Sequence, residues 1–181
     1  IAEANSVLII LLLNLSANHK GSAFFSNEQN DVAENHGKRE FFNHTPVMAM
    51  LSYSNFGSDN EGSPAKVHEA IEIMQREYPG LAIDGEMQVK YAMNKEARDE
   101  KYPFTRLIGK DVNTLIFPNL SSANATYQLI QSMNETEVIG PIQMGLNKPI
   151  HFTDCEASVR DIVNITAVAV IDAIVEKKKK Q

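Results

Sequence analysis

The sequence has almost no cysteine. Cys155 is the one cysteine among 181 residues, so an internal disulfide is impossible, and a zinc site built from several thiolates is excluded as well. Proteins that fold without disulfides are typical of reducing compartments. We therefore expect a cytoplasmic protein with no metal site in this chain.

Long apolar runs are also missing. The longest covers residues 7–13, far short of the roughly 20 residues that a membrane-spanning helix needs. No basic stretch precedes this run and no small-residue cleavage pattern follows it, which predicts neither a membrane segment nor a signal peptide. Ile1 and not Met opens the chain, so we expect a piece of a longer protein.

The chain has no excess of positive charge. Seventeen Lys and Arg residues stand against 23 Asp and Glu, giving a net charge of -6. A general nucleic-acid binder presents a basic surface, so we expect no nucleic-acid partner. Hydrophobic residues at 43% and charged residues at 22% are ordinary for a globular protein.

From residue 47 onward, short apolar runs alternate with helical periodicity. The pattern predicts strands at 47–51, 81–83, 114–117, 138–144 and 149–152, and helices at 64–78 (capped by Ser63), 89–100, 123–133 and 157–177. This alternation predicts an α/β fold, a three-layer α/β/α arrangement with a mostly parallel sheet. Residues 1–45 are weakly patterned, and we predict a linker or a remnant of a preceding domain there, followed by one domain at 46–181.

The last predicted helix, 157–177, is unusually apolar. Its Val and Ile residues go nearly all round the helix. A helix that is hydrophobic on every side is normally buried. We therefore expect it to be covered on several sides.

The loop after the first predicted strand is rich in small polar residues. It contains Ser52, Ser54, Asn55, Gly57 and Ser58. Parallel sheets bind ligands at the carboxyl ends of their strands, and backbone N–H groups in such a loop, just before a helix, can approach an anion. The loop lacks the Gly-Lys-Ser/Thr of a nucleotide phosphate loop. An ordinary polar connection explains the same residues.

Two carboxylates follow the second predicted strand. Asp84 and Glu86 flank Gly85 and are candidates for general acid and base. A structural role is the alternative, in which Glu86 caps a helix or pairs with Lys90 one turn later.

A cluster of titratable residues precedes the last helix. His151 and Cys155 allow a nucleophile pair, and the same cluster allows a metal site, although no spacing elsewhere supports either. Residues 153–156 and 158–161 both have the pattern of a capping box, which explains the cluster as a helix entrance. Asp161 then lies in the first turn, where the helix dipole stabilises a carboxylate.

Several ordered blocks extend over residues 46–173. They read VMAMLSYS with GS (47–58), IDGEMQ (83–88), LIFPNL with AN and Y (115–127), IGPI (139–142), GLNKP (145–149) and SVxDIVN (158–164). Together they resemble the phosphate acetyltransferase (phosphotransacetylase) family. The SNFGS segment at 54–58 is most similar to the version fused to the C-terminus of bacterial NADP-dependent malic enzymes.

The resemblance implies an isocitrate/isopropylmalate-dehydrogenase-like architecture, of which this chain would hold the second domain and the terminal helix. It implies acetyl-CoA as ligand, with no cofactor held by this chain. It also implies that Asp161 is the catalytic carboxylate, which either acts as the base or is a vestige of that role. The ligand-binding residues that we expect are Ser52, Ser54, Asn55, Gly57, Ser58, Glu86, Asn119, Asn124, Gly145, Asp154 and Cys155.

The chain departs from the family where the chemistry is most demanding. Active members carry a Ser-Arg-Gly triplet that falls here on Asp154, Cys155 and Glu156. The change removes a cation and adds two carboxylates, so a phosphate there is repelled. Losing one preorganised stabiliser typically costs ~3 kcal/mol in the transition state, which predicts little or no acetyl transfer. A second departure is Lys90, where the family usually has an acidic residue.

The resemblance therefore implies an acetyl-CoA-binding regulatory region of an NADP-dependent malic enzyme. The parent enzyme would convert malate to pyruvate and CO2 with NADP and a divalent metal. The implied partners are a CoA ester, the malic enzyme catalytic domains and further copies of this chain. Two alternatives stay open: an active phosphate acetyltransferase, with Lys148 or Arg160 replacing the lost arginine, and a structural oligomerisation module.

Overall fold

The structure, a computed structural model, describes residues 8–10, 45–133, 138–142 and 148–179. The chain divides into two compact units. The first comprises Ile1–Gln29 and Thr45–Gln128, and the second Asn30–His44 and Leu129–Gln181. Gly145 and most of the predicted segment at 1–45 lie outside the described residues.

The first unit contains a parallel sheet. Its described strands are β1 (Leu8–Ile10), β2 (Val47–Leu51), β3 (Ala82–Met87) and β4 (Thr114–Ile116). They are ordered β1-β4-β2-β3, and each neighbouring pair is parallel. The predicted α/β class with a parallel sheet is therefore confirmed, while the isocitrate-dehydrogenase-like architecture stays a prediction.

Five helices are described. They are α1 (Gly62–Glu77), α2 (Val89–Met93), α3 (Lys95–Lys101), α4 (Leu120–Ser132) and α5 (Val159–Lys179). Helix α1 buries Val67, Ala70, Ile71 and Met74, the residues that recur at helical spacing in the sequence.

Two predicted helix features are wrong. Helix α1 begins at Gly62, with Glu61 and not Ser63 in the cap position. The single helix predicted at 89–100 is two helices, because Asn94 is extended there. The Asn94 side chain accepts a hydrogen bond from the Ala97 N–H (2.8 Å), which caps the second helix.

Strand β3 is longer than predicted. It continues to Met87 and does not end at residue 83, so Asp84, Gly85 and Glu86 lie inside the strand and not in a loop. Backbone pairing with β2 extends as far as Leu51 opposite Met87. Side chains throughout this stretch are buried, so both carboxylates must find partners within the protein.

The second unit is less regular than predicted. The described residues 138–142 and 148–158 contain no strand, so the strand at 149–152 is wrong, and so is the described part of the one at 138–144. Pro141 and Pro149 have no backbone N–H to donate to a sheet, and Ile150 and Phe152 are exposed. Among the described helices, none is both long and apolar enough to cross a membrane.

Helix α5 begins and ends two residues later than predicted, and it is not covered on several sides. Val168 is buried, with 9% of its surface exposed, whereas Val163 and Ile174 are 60% and 51% exposed. The helix therefore buries one narrow side and leaves most of its apolar circumference open, which contradicts the expectation of extensive burial.

We predict that Gly85→Ala destabilises the protein by about 3 kcal/mol, the cost of backbone strain together with overpacking. Gly85 has a φ of 145°, and a Cβ added there would lie 2.5 Å from the Met50 carbonyl oxygen. Gly80→Ala is the control, since no atom of the described residues, its two chain neighbours apart, lies within 4 Å of its added Cβ. Urea unfolding followed by circular dichroism measures both variants, and equal stability would contradict the prediction.

Candidate functional site

The loop between β2 and α1 is folded around the side chain of Glu86. This carboxylate comes from β3 and is wholly buried. Its Oε1 accepts hydrogen bonds from Ser54 Oγ (3.0 Å) and the Gly57 N–H (2.6 Å), and its Oε2 lies 3.2 Å from His68 Nδ1. The Phe56 N–H donates to the Glu86 carbonyl (2.8 Å). One residue of β3 thus fixes both the loop and helix α1.

The donors predicted to cradle an anion are therefore already engaged. Ser54 and Gly57 direct a hydroxyl and an N–H at a carboxylate of the chain itself. The predicted alternatives for Glu86, a helix cap or a pair with Lys90, are wrong, because its partners are Ser54, Gly57 and His68. Glu86 acts in this arrangement as a built-in anion that shapes the loop.

The remaining loop residues bond to one another and to the segment after β3. Ser52 Oγ accepts from the Ser54 N–H (3.2 Å), and the Asn55 N–H donates to Ser58 Oγ (3.0 Å). The Asn55 Oδ1 accepts from the Gln88 N–H (2.9 Å). Ser58 is exposed, while Ser52 and Asn55 are half-buried, so these three residues supply neutral accessible groups beside the exposed Tyr53 and the half-buried Asp59.

Tyr53 and Asp59 close the outer side of the loop, a contact the sequence analysis missed. The Tyr53 hydroxyl donates to Asp59 Oδ2 (2.7 Å). This hydrogen bond lowers the pKa of Asp59 and raises that of Tyr53. The contact joins residues six apart through a loop with no repeating pattern, so no sequence signal indicated it.

An aromatic cluster anchors the same loop from the side. The Phe56 ring lies 4.8 Å from the Tyr102 ring and 5.2 Å from the Phe104 ring, measured between centroids. Tyr102 in turn packs edge-on against Tyr91 (5.1 Å). The loop is therefore held by packing as well as by the buried carboxylate.

Asp84 has a separate set of partners. Its Oδ2 accepts from Thr105 Oγ1 (2.7 Å) and the Arg106 N–H (2.8 Å), and its Oδ1 from Gln75 Nε2 (3.2 Å). Among the residues that the structure describes, Asp84 and Glu86 share no hydrogen-bond partner, and their role as acid and base stays a prediction. Asp84 instead ties β3 to the segment after α3.

The two predicted ligand residues near α4 differ in their surroundings. Asn119 Oδ1 accepts from the Ser122 N–H (2.9 Å), which satisfies a free donor of the first turn of α4. Asn124 is exposed on the helix. The cap accounts for Asn119 structurally, and ligand contact by either residue stays a prediction.

In the second unit, residues 154–156 form an exposed turn. Asp154 Oδ1 accepts from the Glu156 N–H (3.2 Å), and Cys155 is a free, exposed thiol. Residues 153–156 precede α5 and do not form its capping box, contrary to one prediction. The turn presents two carboxylates and has no cation of its own.

His151 is paired with a residue of α5. Its Nε2 lies 3.2 Å from Asp172 Oδ2, and its side chain is almost fully buried. The partner of His151 is thus Asp172 and not Cys155. Within residues 45–133, 138–142 and 148–179, no three His, Cys, Asp or Glu side chains are grouped to hold a metal ion.

The second predicted capping box, Ser158 with Asp161, is confirmed. The Ser158 N–H and Oγ both donate to Asp161 Oδ2 (3.0 and 2.6 Å), and the Asp161 N–H donates back to Ser158 Oγ (3.2 Å). These bonds, the side-chain one most of all, hold the pKa of Asp161 below its ordinary value. The predicted catalytic carboxylate is therefore engaged as a helix cap.

Comparison with known proteins identifies the family. Residues 26–170 match the family model described as phosphate acetyl/butaryl transferase. This chain belongs to that family. The resemblance to phosphate acetyltransferases predicted from the sequence blocks is therefore confirmed.

Relatives of this transferase-family chain include malic enzymes and phosphate acetyltransferases. An NADP-dependent malic enzyme of Salmonella typhimurium is 41% identical over 129 residues, covering 71% of this chain and 17% of the relative. A phosphate acetyltransferase of Clostridium acetobutylicum is 39% identical over 135 residues, covering 75% of this chain and 40% of the relative. The chain spans less than half the length of either relative.

The solved structures agree with this assignment. A phosphotransacetylase from Streptococcus pyogenes matches with a TM-score of 0.70 and 34% identity, covering 81% of this chain and 45% of that one. The chain is thus a phosphotransacetylase-like part of the kind found both in malic enzymes and in phosphate acetyltransferases.

We predict that Ser158→Ala lowers stability by about 1 kcal/mol at neutral pH, the usual cost of losing an N-cap. Because the pKa of Asp161 is lowered on folding, its contribution is present above the unfolded value and is lost as the pH falls through the folded one. The difference in stability between Ser158→Ala and the parent protein should therefore become smaller below about pH 4. Thermal unfolding at pH 7 and pH 3 measures it.

The matched control is Thr153→Ala, an exposed residue at the capping position that the structure does not use. This variant should match the parent protein at both pH values. A loss as large as that of Ser158→Ala would show that the deficit does not come from the cap.

Proposed function

We propose that this chain is an acetyl-CoA-binding, phosphotransacetylase-like region that regulates an NADP-dependent malic enzyme and has lost acetyl transfer. Membership of the transferase family supports the binding of an acyl-CoA. The similarity to malic enzymes, of which the chain covers 17%, supports a role as one part of such an enzyme. The state of Asp161 supports the loss of transfer.

The hydrogen bonds of Asp161 add to this proposal, which rests chiefly on the charge of the turn at 154–156, because Ser158 and Asp161 both belong to a block that resembles the family. A general base is most effective when its pKa is near the operating pH. The hydrogen bonds from Ser158 lower the pKa of Asp161 and occupy its carboxylate oxygen Oδ2. A carboxylate held in this way is a poor acceptor for the proton of a thiol.

The exposed turn at 154–156 supports the same conclusion through its charge. The attacking phosphate is an anion, and the acyl carbonyl oxygen gains negative charge in the transition state, so a transferase must stabilise negative charge at both places. Asp154 and Glu156 add negative charge at this turn, and Cys155 is neutral as a thiol. Phosphate is therefore repelled, which removes one of the two substrates of acetyl transfer while leaving acyl-CoA binding possible.

The loop at 52–59 is the part of the first unit best suited to ligand binding. Its accessible neutral groups include the Ser58 hydroxyl, the Ser52 hydroxyl and the Asn55 side chain, and they suit the amide and thioester oxygens of an acyl-CoA. The half-buried Asp59 carboxylate of the same loop is bonded to the Tyr53 hydroxyl. Regulation then requires acetyl-CoA to bind two global states of the parent enzyme with different affinities.

The test is acetyl-CoA titrated calorimetrically into the longest natural protein that contains this chain, with an assay of acetyl phosphate formation on the same sample. We expect saturable binding without turnover, and malate oxidation that changes on addition of acetyl-CoA. Ser58→Ala should weaken binding, since it removes an exposed hydroxyl, whereas the exposed Ser121→Ala on α4 should not. Robust acetyl phosphate formation would refute the loss of transfer.

An active phosphate acetyltransferase is the second candidate. Arg160 favours it, because its positive charge also contributes to the lowered pKa of Asp161 and can replace the arginine missing at residue 155. Acetyl phosphate formation by the parent protein distinguishes the two candidate functions. Asp161→Ala should abolish this turnover if Asp161 is the base, and turnover that survives would exclude that assignment.

A structural module is the third candidate, favoured by the exposed face of α5. Val159, Val163, Val170 and Ile174 lie on one stripe of this helix at spacings of four, seven and four residues, and each is at least half exposed. A stripe of this kind is typical of a surface that packs against another protein surface.

If α5 mediates association between copies, Val163→Lys with Val170→Lys should reduce the oligomer to a smaller species, because two charges would be buried in an apolar contact. Sedimentation velocity measures the outcome. Glu69→Lys, exposed on α1, changes the net charge by the same +2 and should leave the assembly intact. An unchanged oligomer in the double variant would exclude this role for α5.

A further inference from the structure

Glu86 is a buried carboxylate whose partners are mostly neutral. Two of its three side-chain hydrogen bonds come from the Ser54 hydroxyl and the Gly57 N–H. Among the residues that the structure describes, His68 is the basic side chain within ion-pair distance of it, at 3.2 Å. An ionised carboxylate is costly to bury without hydrogen bonds and a compensating charge, and His68 is placed to supply that charge.

The imidazole of His68 lies between two carboxylates. Its Nδ1 faces Glu86 on β3, and its Nε2 lies 3.6 Å from Glu72 Oε1, one turn further along α1. The protonated ring can form an ion pair with both. A neutral ring carries one N–H, so it can donate to one carboxylate at most.

The charge of His68 therefore bears on the loop through Glu86. The same carboxylate that faces His68 holds Ser54 and Gly57, and Ser54 Oγ also accepts from the Asp59 N–H (3.0 Å). Asp59 directs its own carboxylate to Tyr53 and to the Glu61 N–H. From β3, α1 and the loop, the titratable groups around His68 are thus Glu86, Glu72 and, beyond Ser54, Asp59.

We propose that His68 is a positioning residue for acyl-CoA, which in its protonated form holds Glu86 and thereby the 54–58 loop in the binding conformation. This inference rests on the proposed function of the loop. Histidine is the side chain whose charge ordinarily changes between about pH 5 and 8. Acyl-CoA affinity should consequently fall as the pH rises through that range.

The test compares the parent protein with His68→Asn, which keeps an N–H donor near the Nδ1 position but has no titrating charge. We expect acetyl-CoA to bind about tenfold more weakly to His68→Asn at pH 6, because the hydrogen bond to Glu86 loses the added strength that the positive charge gives it. At pH 8 the two affinities should converge. Equal affinities of the two proteins at both pH values would overturn the proposal.

Two further variants separate charge from simple packing. Glu72→Gln removes the second carboxylate and keeps Glu86, so it should reduce the pH dependence without abolishing binding. Glu69→Gln, exposed on the same helix, should behave as the parent protein. If Glu69→Gln alters binding as strongly as His68→Asn, the effect belongs to helix α1 in general, and the assignment to His68 is wrong.

A loop reporter distinguishes failure of this inference from failure of the proposed function. The chain contains no tryptophan, so Tyr53→Trp places a single indole on the exposed side of the loop. Without ligand, its emission should change between pH 6 and 8 when His68 is present, and stay constant with His68→Asn. Emission that does not differ between the two overturns control of the loop by His68.

If the parent protein binds no acetyl-CoA at either pH, the proposed function fails and the ligand part of this inference fails with it. The tryptophan emission then still tests whether His68 controls the loop. Emission that does not differ with and without His68→Asn would overturn this control. Far-UV circular dichroism of each variant confirms that the comparison is made between folded proteins.

Discussion

The first unit depends on a negative charge that is sealed inside it. Glu86 has no exposed surface, and it is stable there only because a hydroxyl, an N–H and an imidazole converge on its two oxygens. These three groups come from the loop after β2 and from α1. The position of the loop is therefore set by its contacts with β3 as well as by the bonds within the loop itself.

Local patterns predicted three of the four described strands, β2, β3 and β4, and the first helix, but not β1. Residues 47–51 are an unbroken apolar run, residues 114–116 are the strand-favouring Thr-Leu-Ile, and Val67, Ala70, Ile71 and Met74 follow helical spacing. The prediction ended strand β3 too early, at residue 83, because Asp84, Gly85 and Glu86 have the local character of a turn. What keeps them in a strand is distant in the chain: Thr105 bonds Asp84 and Ser54 bonds Glu86. Residue types along one segment do not report such partners.

The second unit also contains one feature that the local sequence predicts and others that depend on contacts elsewhere. The cap of α5 was predictable because Ser158 and Asp161 are three residues apart and their bonding depends only on helix geometry. The burial of α5 was not predictable, because it depends on which surface lies against the helix. The strand expected at 149–152 failed for a related reason: an apolar run pairs only where a neighbouring strand offers free backbone groups, and Pro149 has no N–H of its own to donate.

The carboxylate of Glu86 also has a consequence for what the loop can recognise. A phosphate loop is open to any small oxyanion, so inorganic phosphate and sulfate compete for it with the intended ligand. Here the carboxylate of Glu86, which is part of the chain, occupies the position of such an anion, and its charge opposes a second anion nearby. A small oxyanion would therefore be repelled from this part of the loop, and a ligand that contacts it would do so through uncharged groups.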